Sequence, residues 1–328
     1  MRYLTALLAR TKKSSSLRAT NVLQYKRSRR RLFLEQLEDR RLLATFTVIN
    51  LADRGTGSLR QAIVDSNVNL GSDIIQFSSG VNGTITLTSG ELAITDAVDV
   101  QGPGASVLAI SGNNSSRVFY VTANATISGL TISGGNSDNG GGIYNDGTLT
   151  LEGSTLSNNS TTGSRSYGGG IFNYGVLTVD HSTVSNNTSS FQGGGIVNIG
   201  GTVSVESSTF NGNTAYDGGG INNRNGGTLT LHNSTFNGNS GSQYGGGISN
   251  DEGTLTVDHS TFSGNSSNAG GGIYNGDTAT VRNRSFSGNS ASGGGTGGAI
   301  SNGSGIGGSL IVANSTLGER LVCSQTSG

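Results

Sequence analysis

A four-residue signature, Gly-Gly-[Gly/Ala]-Ile, recurs along this chain and limits what it can fold into. Its isoleucines are Ile143, Ile171, Ile196, Ile221, Ile248, Ile273 and Ile300, at intervals of 28, 25, 25, 27, 25 and 27 residues. Two residues after each stands an asparagine: Asn145, Asn173, Asn198, Asn223, Asn250, Asn275 and Asn302. Each unit then runs through a Thr-Leu-Thr-Val type segment, a Ser-Thr-[Leu/Val/Phe] segment and a short turn of Asn, Gly and Ser. A period in the twenties means a solenoid, whose units bury their apolar side only by stacking on one another.

The interior pattern decides which solenoid. Leucine-rich spacing is missing, and apolar residues alternate in short bursts, as at Leu149/Leu151, Leu177/Val179, Val203/Val205, Leu229/Leu231 and Leu255/Val257. That is strand period. With Gly 56 and Pro 1 and no Gly-X-Y repeat, collagen is excluded. The expectation is an all-β, right-handed parallel β-helix of about ten coils, with three strands per coil. Coils about 4.8 Å apart turn repetition into ladders: one of Ile143 to Ile300, one of Leu156, Val184, Phe210, Phe236, Phe262, Phe286 and Leu317, and one of the seven asparagines, amide to amide. Irregular early coils are expected at Thr84–Leu87, Leu92–Ile94, Val98–Val100, Val107–Ile110, Val118–Val121 and Ile127–Ile132. Ahead of them Ser58-Leu-Arg-Gln61 is a capping box opening a short helix, with Leu59, Ala62 and Ile63 on one face to cover the first coil.

The net charge of zero hides an asymmetry. Residues 1–44 hold 12 Lys and Arg against 3 Asp and Glu, net +9, and the rest hold 8 against 17, net −9. A basic leader on an acidic, hydroxyl-rich body fits export and argues against nucleic-acid binding. Arg30, Arg31, Phe33 and Leu34 match the core of a twin-arginine motif, although Glu35, Glu38, Asp39, Arg40 and Arg41 stand where an apolar segment should follow. No run reaches the roughly 18 apolar residues of a membrane helix. Cys323 is the single cysteine, so neither disulfides nor thiolate metal sites hold the fold. The chain divides into a leader (1–44), a cap with early coils (45–139), regular coils (140–317) and a tail (318–328) that leaves the repeat.

Three motifs resemble known proteins. Leu-Glu-Gln-Leu-Glu-Asp-Arg-Arg-Leu-Leu-Ala at 34–44 resembles a leader of planctomycete extracellular proteins. Asp53-Arg-Gly-Thr-Gly-Ser-Leu-Arg-Gln-Ala-Ile63 resembles the start of secreted bacterial β-helix proteins. The repeat with its Phe-x-x-Asn pairs (Phe210/Asn213, Phe236/Asn239, Phe262/Asn265) is similar to that of chlamydial polymorphic outer-membrane proteins. These resemblances imply a pectate-lyase-like β-helix outside the cell or on its surface, adhesive in role and without catalytic activity.

Candidate chemistry is sparse. The Gly-Gly-Gly-Ile strands should project Tyr144, Phe172, Val197, Asn222, Ser249, Tyr274 and Ser301 outward, none of them an acid or base, so catalysis is not expected there. One column concentrates ionisable groups on successive coils, Glu152, Asp180, Glu206, His232, Asp258 and Arg282, with His181 and His259 in a neighbouring slot. It is a candidate weak cation or ligand site, Ca²⁺ included, weighed against a solvated turn. Thr-x-Thr pairs such as Thr228/Thr230 and Thr254/Thr256 admit ice binding as a minor alternative. The reading is a non-enzymatic exported protein that needs no cofactor and binds a glycan or surface protein, with a polysaccharide lyase or hydrolase as the alternative. Its uncovered final coil, with Leu310, Val312 and Leu317, is expected to associate end to end.

Overall fold

The computed structural model describes residues 43–293, 297–303, 309–318 and 321–323. They form a parallel β-solenoid of about ten turns, with one short helix after its first strand. The leader, with Arg30 and Arg31, lies outside the described residues except for Leu43 and Ala44.

Successive coils pair in parallel and in register. The central coil shows the pattern: Ile221–Arg224 pairs with its neighbours in one sheet, and Thr228–His232 and Thr235–Asn237 run through a second, longer sheet. Ser240–Tyr244 then adds to a small third sheet. Several coils, this one included, therefore have a fourth short extended segment beyond the three expected from sequence. The strand begins at the isoleucine, since the three glycines before it make a bend. Gly218 has φ +65, and a Cβ on Gly219 or Gly220 would lie 2.5 Å from a carbonyl oxygen of the following coil. The backbones meet so closely there that no side chain fits.

The core is built of stacked identical residues. The isoleucine column is fully buried, and Phe210, Phe236, Phe262 and Phe286 stack at 4.7, 5.0 and 4.9 Å. Offset ring pairs at this spacing add to the gain from their buried area. Corners between the two long-sheet strands take positive φ, at His181 (45), Ser207 (47), Asn233 (51), His259 (47) and Asn283 (48). Short polar residues and histidine tolerate this region better than most, which explains why two histidines share that slot.

Buried polar ladders run beside the core. Asn145 donates from Nδ2 to Asn173 Oδ1 at 2.7 Å, and the pattern continues through Asn198, Asn223, Asn250 and Asn275 to Asn302 at 2.7 to 2.8 Å. A second amide ladder, Asn159, Asn187, Asn213, Asn239, Asn265 and Asn289, closes the opposite corner at 2.8 to 3.0 Å. A serine ladder, Ser154, Ser182, Ser208, Ser234 and Ser260, accepts a backbone N–H from the preceding coil at each step. These chains satisfy corner backbone that the sheets leave unpaired.

The helix Leu59–Val68 is capped by Ser58, whose hydroxyl accepts from Gln61 N, and it buries Leu59, Ala62, Ile63 and Ser66. Arg60 donates to Asp53 at 2.8 Å and to the Gly90 and Glu91 carbonyls at 2.7 and 2.8 Å, binding the helix to an early coil. Burial alone would raise the Asp53 carboxyl, but hydrogen bonds from Ser89, Arg60 and Thr88 outweigh it and hold its pKa to about 2.

Two expectations need correction. The tail does not leave the repeat at residue 318, because Leu321–Cys323 pairs in parallel with Ile300–Asn302, the free edge of that sheet accepting one more strand. The row from Tyr144 to Ser301 is not an exposed outer face either. Phe172, Val197, Asn222, Ser249 and Ser301 are buried. The glycine bend folds the residue before each signature back toward this row.

Candidate functional site

The bend generates a flank of three adjacent columns. The residues before each signature, Asn139, Tyr167, Gln192, Asp217, Tyr244 and Ala269, form bridges from coil to coil. The middle column is the row beginning at Tyr144, and the third holds the residues after the asparagines, Tyr174, Ile199, Arg224 and Asp251. On the early coils the flank is aromatic. Tyr120 stacks on Tyr144 at 5.1 Å and Tyr144 on Phe172 at 5.0 Å, while Tyr174 meets Phe172 edge-on at 4.7 Å. Tyr167 meets both Phe172 and Phe191 edge-on. The Arg117 guanidinium lies 5.2 Å from the Tyr144 ring centroid, within cation–π range.

A cavity of about 260 Å³ opens among Asn139, Tyr167, Phe172, Tyr174, Ile199, Arg224 and Asn225. Behind Arg224 the flank turns polar. Arg224 donates to Gln192 Oε1, and Gln192 Nε2 donates to Asp217 Oδ2 at 3.2 Å. Asp217 Oδ1, Ser249 Oγ and both amide atoms of Asn222 are buried without a protein partner. Burial pushes the Asp217 carboxyl up against the hydrogen bond from Gln192. Burial also raises Asp251, with the Glu252 charge adding to it. Unpaired buried polar atoms each cost about 1–3 kcal/mol.

The charged column lies elsewhere, at the ends of the Thr-Leu-Thr-Val strands. Register places Glu152, Asp180, Glu206, His232 and Asp258 side by side on successive coils. Close contacts join only some of them. His232 Nδ1 is 3.0 and 3.1 Å from the two Glu206 oxygens, and its Nε2 is 4.0 Å from Asp258 Oδ2. His181 pairs with Asp180 at 2.7 Å and His259 with Asp258 at 3.0 Å. Hydrogen bonds lower both carboxyls, Glu206 chiefly through His232 and Asp258 chiefly through Asn283. Arg282 pairs in register with Ala313.

Sequence reasoning missed the polar flank of Gln192, Asp217, Arg224 and Asp251. A signal was present, since these residues stand just before a Gly-Gly-Gly-Ile or just after its asparagine. What hid it was the positive φ of the first glycine, which turns the preceding residue onto the strand instead of away from it.

No curated protein matches this sequence. Among solved structures, a crystal structure of the pectate lyase Pel9A is similar with a TM-score of 0.43 at 13% identity, over 82% of this chain and 80% of that one. Among the described residues no helix is long and apolar enough to cross a membrane. Residues 108–291 match the model of the right handed beta helix region, more than half of the chain. With its coils, ladders and glycine bends, the chain belongs to the right-handed β-helix family.

Proposed function

We propose that this is an exported, non-catalytic β-helix protein that holds an extended glycan along the aromatic flank. The observation that carries this reading is the cavity bounded by Tyr167, Phe172, Tyr174 and Arg224. Aromatic faces pack against the apolar faces of sugar rings, and a guanidinium offers paired donors to a carboxylate or sulfate. Tyr174 and Tyr216 remain 46% and 41% exposed, so the shelf is reachable. The in-register columns continue this flank from coil to coil beyond one cavity, which suits a polymer better than a small molecule. The basic leader and the acidic body support export to the cell surface or beyond.

A polysaccharide-cleaving enzyme is the second reading, and Asp217 and Asp251 favour it, since raised carboxyls can act as general acids. Against it, every lysine lies at positions 12, 13 and 26, and the three histidines lie on or next to the charged column, away from this flank. Binding of the purified chain to acidic and neutral oligosaccharides by calorimetry, alongside a depolymerisation screen, separates the two. Binding that falls at least tenfold in Tyr174→Ala and Arg224→Ala, without turnover, supports the proposal. Turnover abolished by Asp217→Asn overturns the non-catalytic reading, and binding unaffected by both variants overturns the location.

A further inference from the structure

The corner at His232 and His259 has a donor set different from the glycan flank. His232 ends the strand Thr228–His232, Asp258 is its register partner one coil on, and His259 follows at the corner with φ +47. One ligand atom from each of the three lies within 4.8 Å of the others. The closest Asp258 oxygens are 3.0 Å from His259 Nδ1 and 4.0 Å from His232 Nε2. Donors about 2.0–2.2 Å from one ion stand roughly 3–4 Å apart. The ring centroids are 5.5 Å apart at 68°, so the imidazoles converge without stacking.

The surrounding residues point the same way. Glu206 Oε1, 3.0 Å from His232 Nδ1, engages that ring nitrogen, so Nε2, on the Asp258 side, is the one open to a cation. Asn283 donates to Asp258 Oδ1 at 2.8 Å and fixes that carboxylate from the following coil. A carboxylate behind a histidine and an amide behind a carboxylate are the supports that orient metal ligands. No other group of three or more His, Cys, Asp or Glu side chains converges in this way among the described residues.

We infer that His232, His259 and Asp258 bind one divalent cation of borderline softness, Zn²⁺ or Cu²⁺ in preference to Ca²⁺. Two imidazoles and one carboxylate suit such ions, whereas Ca²⁺ takes six to eight oxygens. Three protein ligands on a half-exposed corner leave coordination positions open to solvent or to a donor from another molecule.

The test is calorimetric titration of the full chain, free of any histidine tag, with Zn²⁺ and separately with Ca²⁺. A Co²⁺ visible spectrum provides a second readout. The expected result is one equivalent of Zn²⁺, undisturbed by millimolar Ca²⁺ and lost in His232→Gln and in His259→Asn. The latter preserves the fold because Asn233 and Asn283 occupy the same corner with φ 51 and 48. Glu206→Gln should weaken binding about 10- to 100-fold. Absence of saturable Zn²⁺ binding, equal affinity for Ca²⁺, or Zn²⁺ binding unchanged in both histidine variants would overturn the inference. None of these outcomes bears on the glycan flank, whose residues are separate.

Discussion

Adjacent residues Asn222 and Asn223 should respond to loss of their amides with opposite sign. Both are fully buried. The Asn223 amide accepts from Asn198 at 2.8 Å and donates to Asn250 Oδ1 at 2.8 Å and to Gly227 O at 2.9 Å. In Asn223→Leu, Asn198 keeps its bond to Gly201 O, and Gly227 O keeps the Thr254 N–H. These two losses cost about 1 kcal/mol each, and Asn250 Oδ1, stripped of its donor, adds about 1–3. The larger apolar side chain returns at most about 2 kcal/mol, leaving a net loss of about 1–3. It would also press on Gly227 and Gly253, where even a methyl group would lie 2.3 to 2.5 Å from the Asn223 amide. Asn222 has neither amide atom paired to a protein group. Its register partner one coil earlier, Val197, is equally buried, so Asn222→Val fits the same space and should gain about 1–2 kcal/mol. Urea midpoints at unchanged m provide the measurement. A loss in Asn222→Val as large as that in Asn223→Leu would refute the assignment of the Asn223 amide as structural and the Asn222 amide as dispensable to the fold.

Three further outcomes follow from the same geometry. Asp53 has its pKa lowered from 3.8 to about 2, so its contribution is complete above pH 4 and is lost as pH falls from there through 2. Asp53→Asn should therefore lower stability by roughly 2 kcal/mol at neutral pH, and its difference from wild type should close near pH 2 in denaturant midpoints measured across that range. Phe236→Ala opens a gap between Phe210 and Phe262, which it contacts at 4.7 and 5.0 Å, and should cost about 3–5 kcal/mol by the same assay. End-to-end association, expected from parallel edges that can accept a further strand, should give concentration-dependent species in light scattering of residues 45–328, reduced by charged residues at Ile311 and Ser315; a strict monomer at tens of micromolar refutes it.

The periodic part of this molecule was legible in the sequence because in a solenoid one position per coil becomes one column in space. Ile221 is buried above Ile196 and below Ile248 for the same reason that the three recur at a fixed place in the repeat. The helix after Ser58 was equally readable, since capping is decided within four residues. What only the tertiary structure decided was how columns from different parts of a coil face one another. Asp217 and Arg224 are separated in sequence by the glycine bend, and their common link through Gln192 depends on the positive φ of Gly218 and on a neighbouring coil. The charged column shows the same division. Sequence spacing aligned Glu206, His232 and Asp258, but the left-handed corner at His259 turns a second imidazole toward Asp258, and no count of residues along the chain contains that rotation.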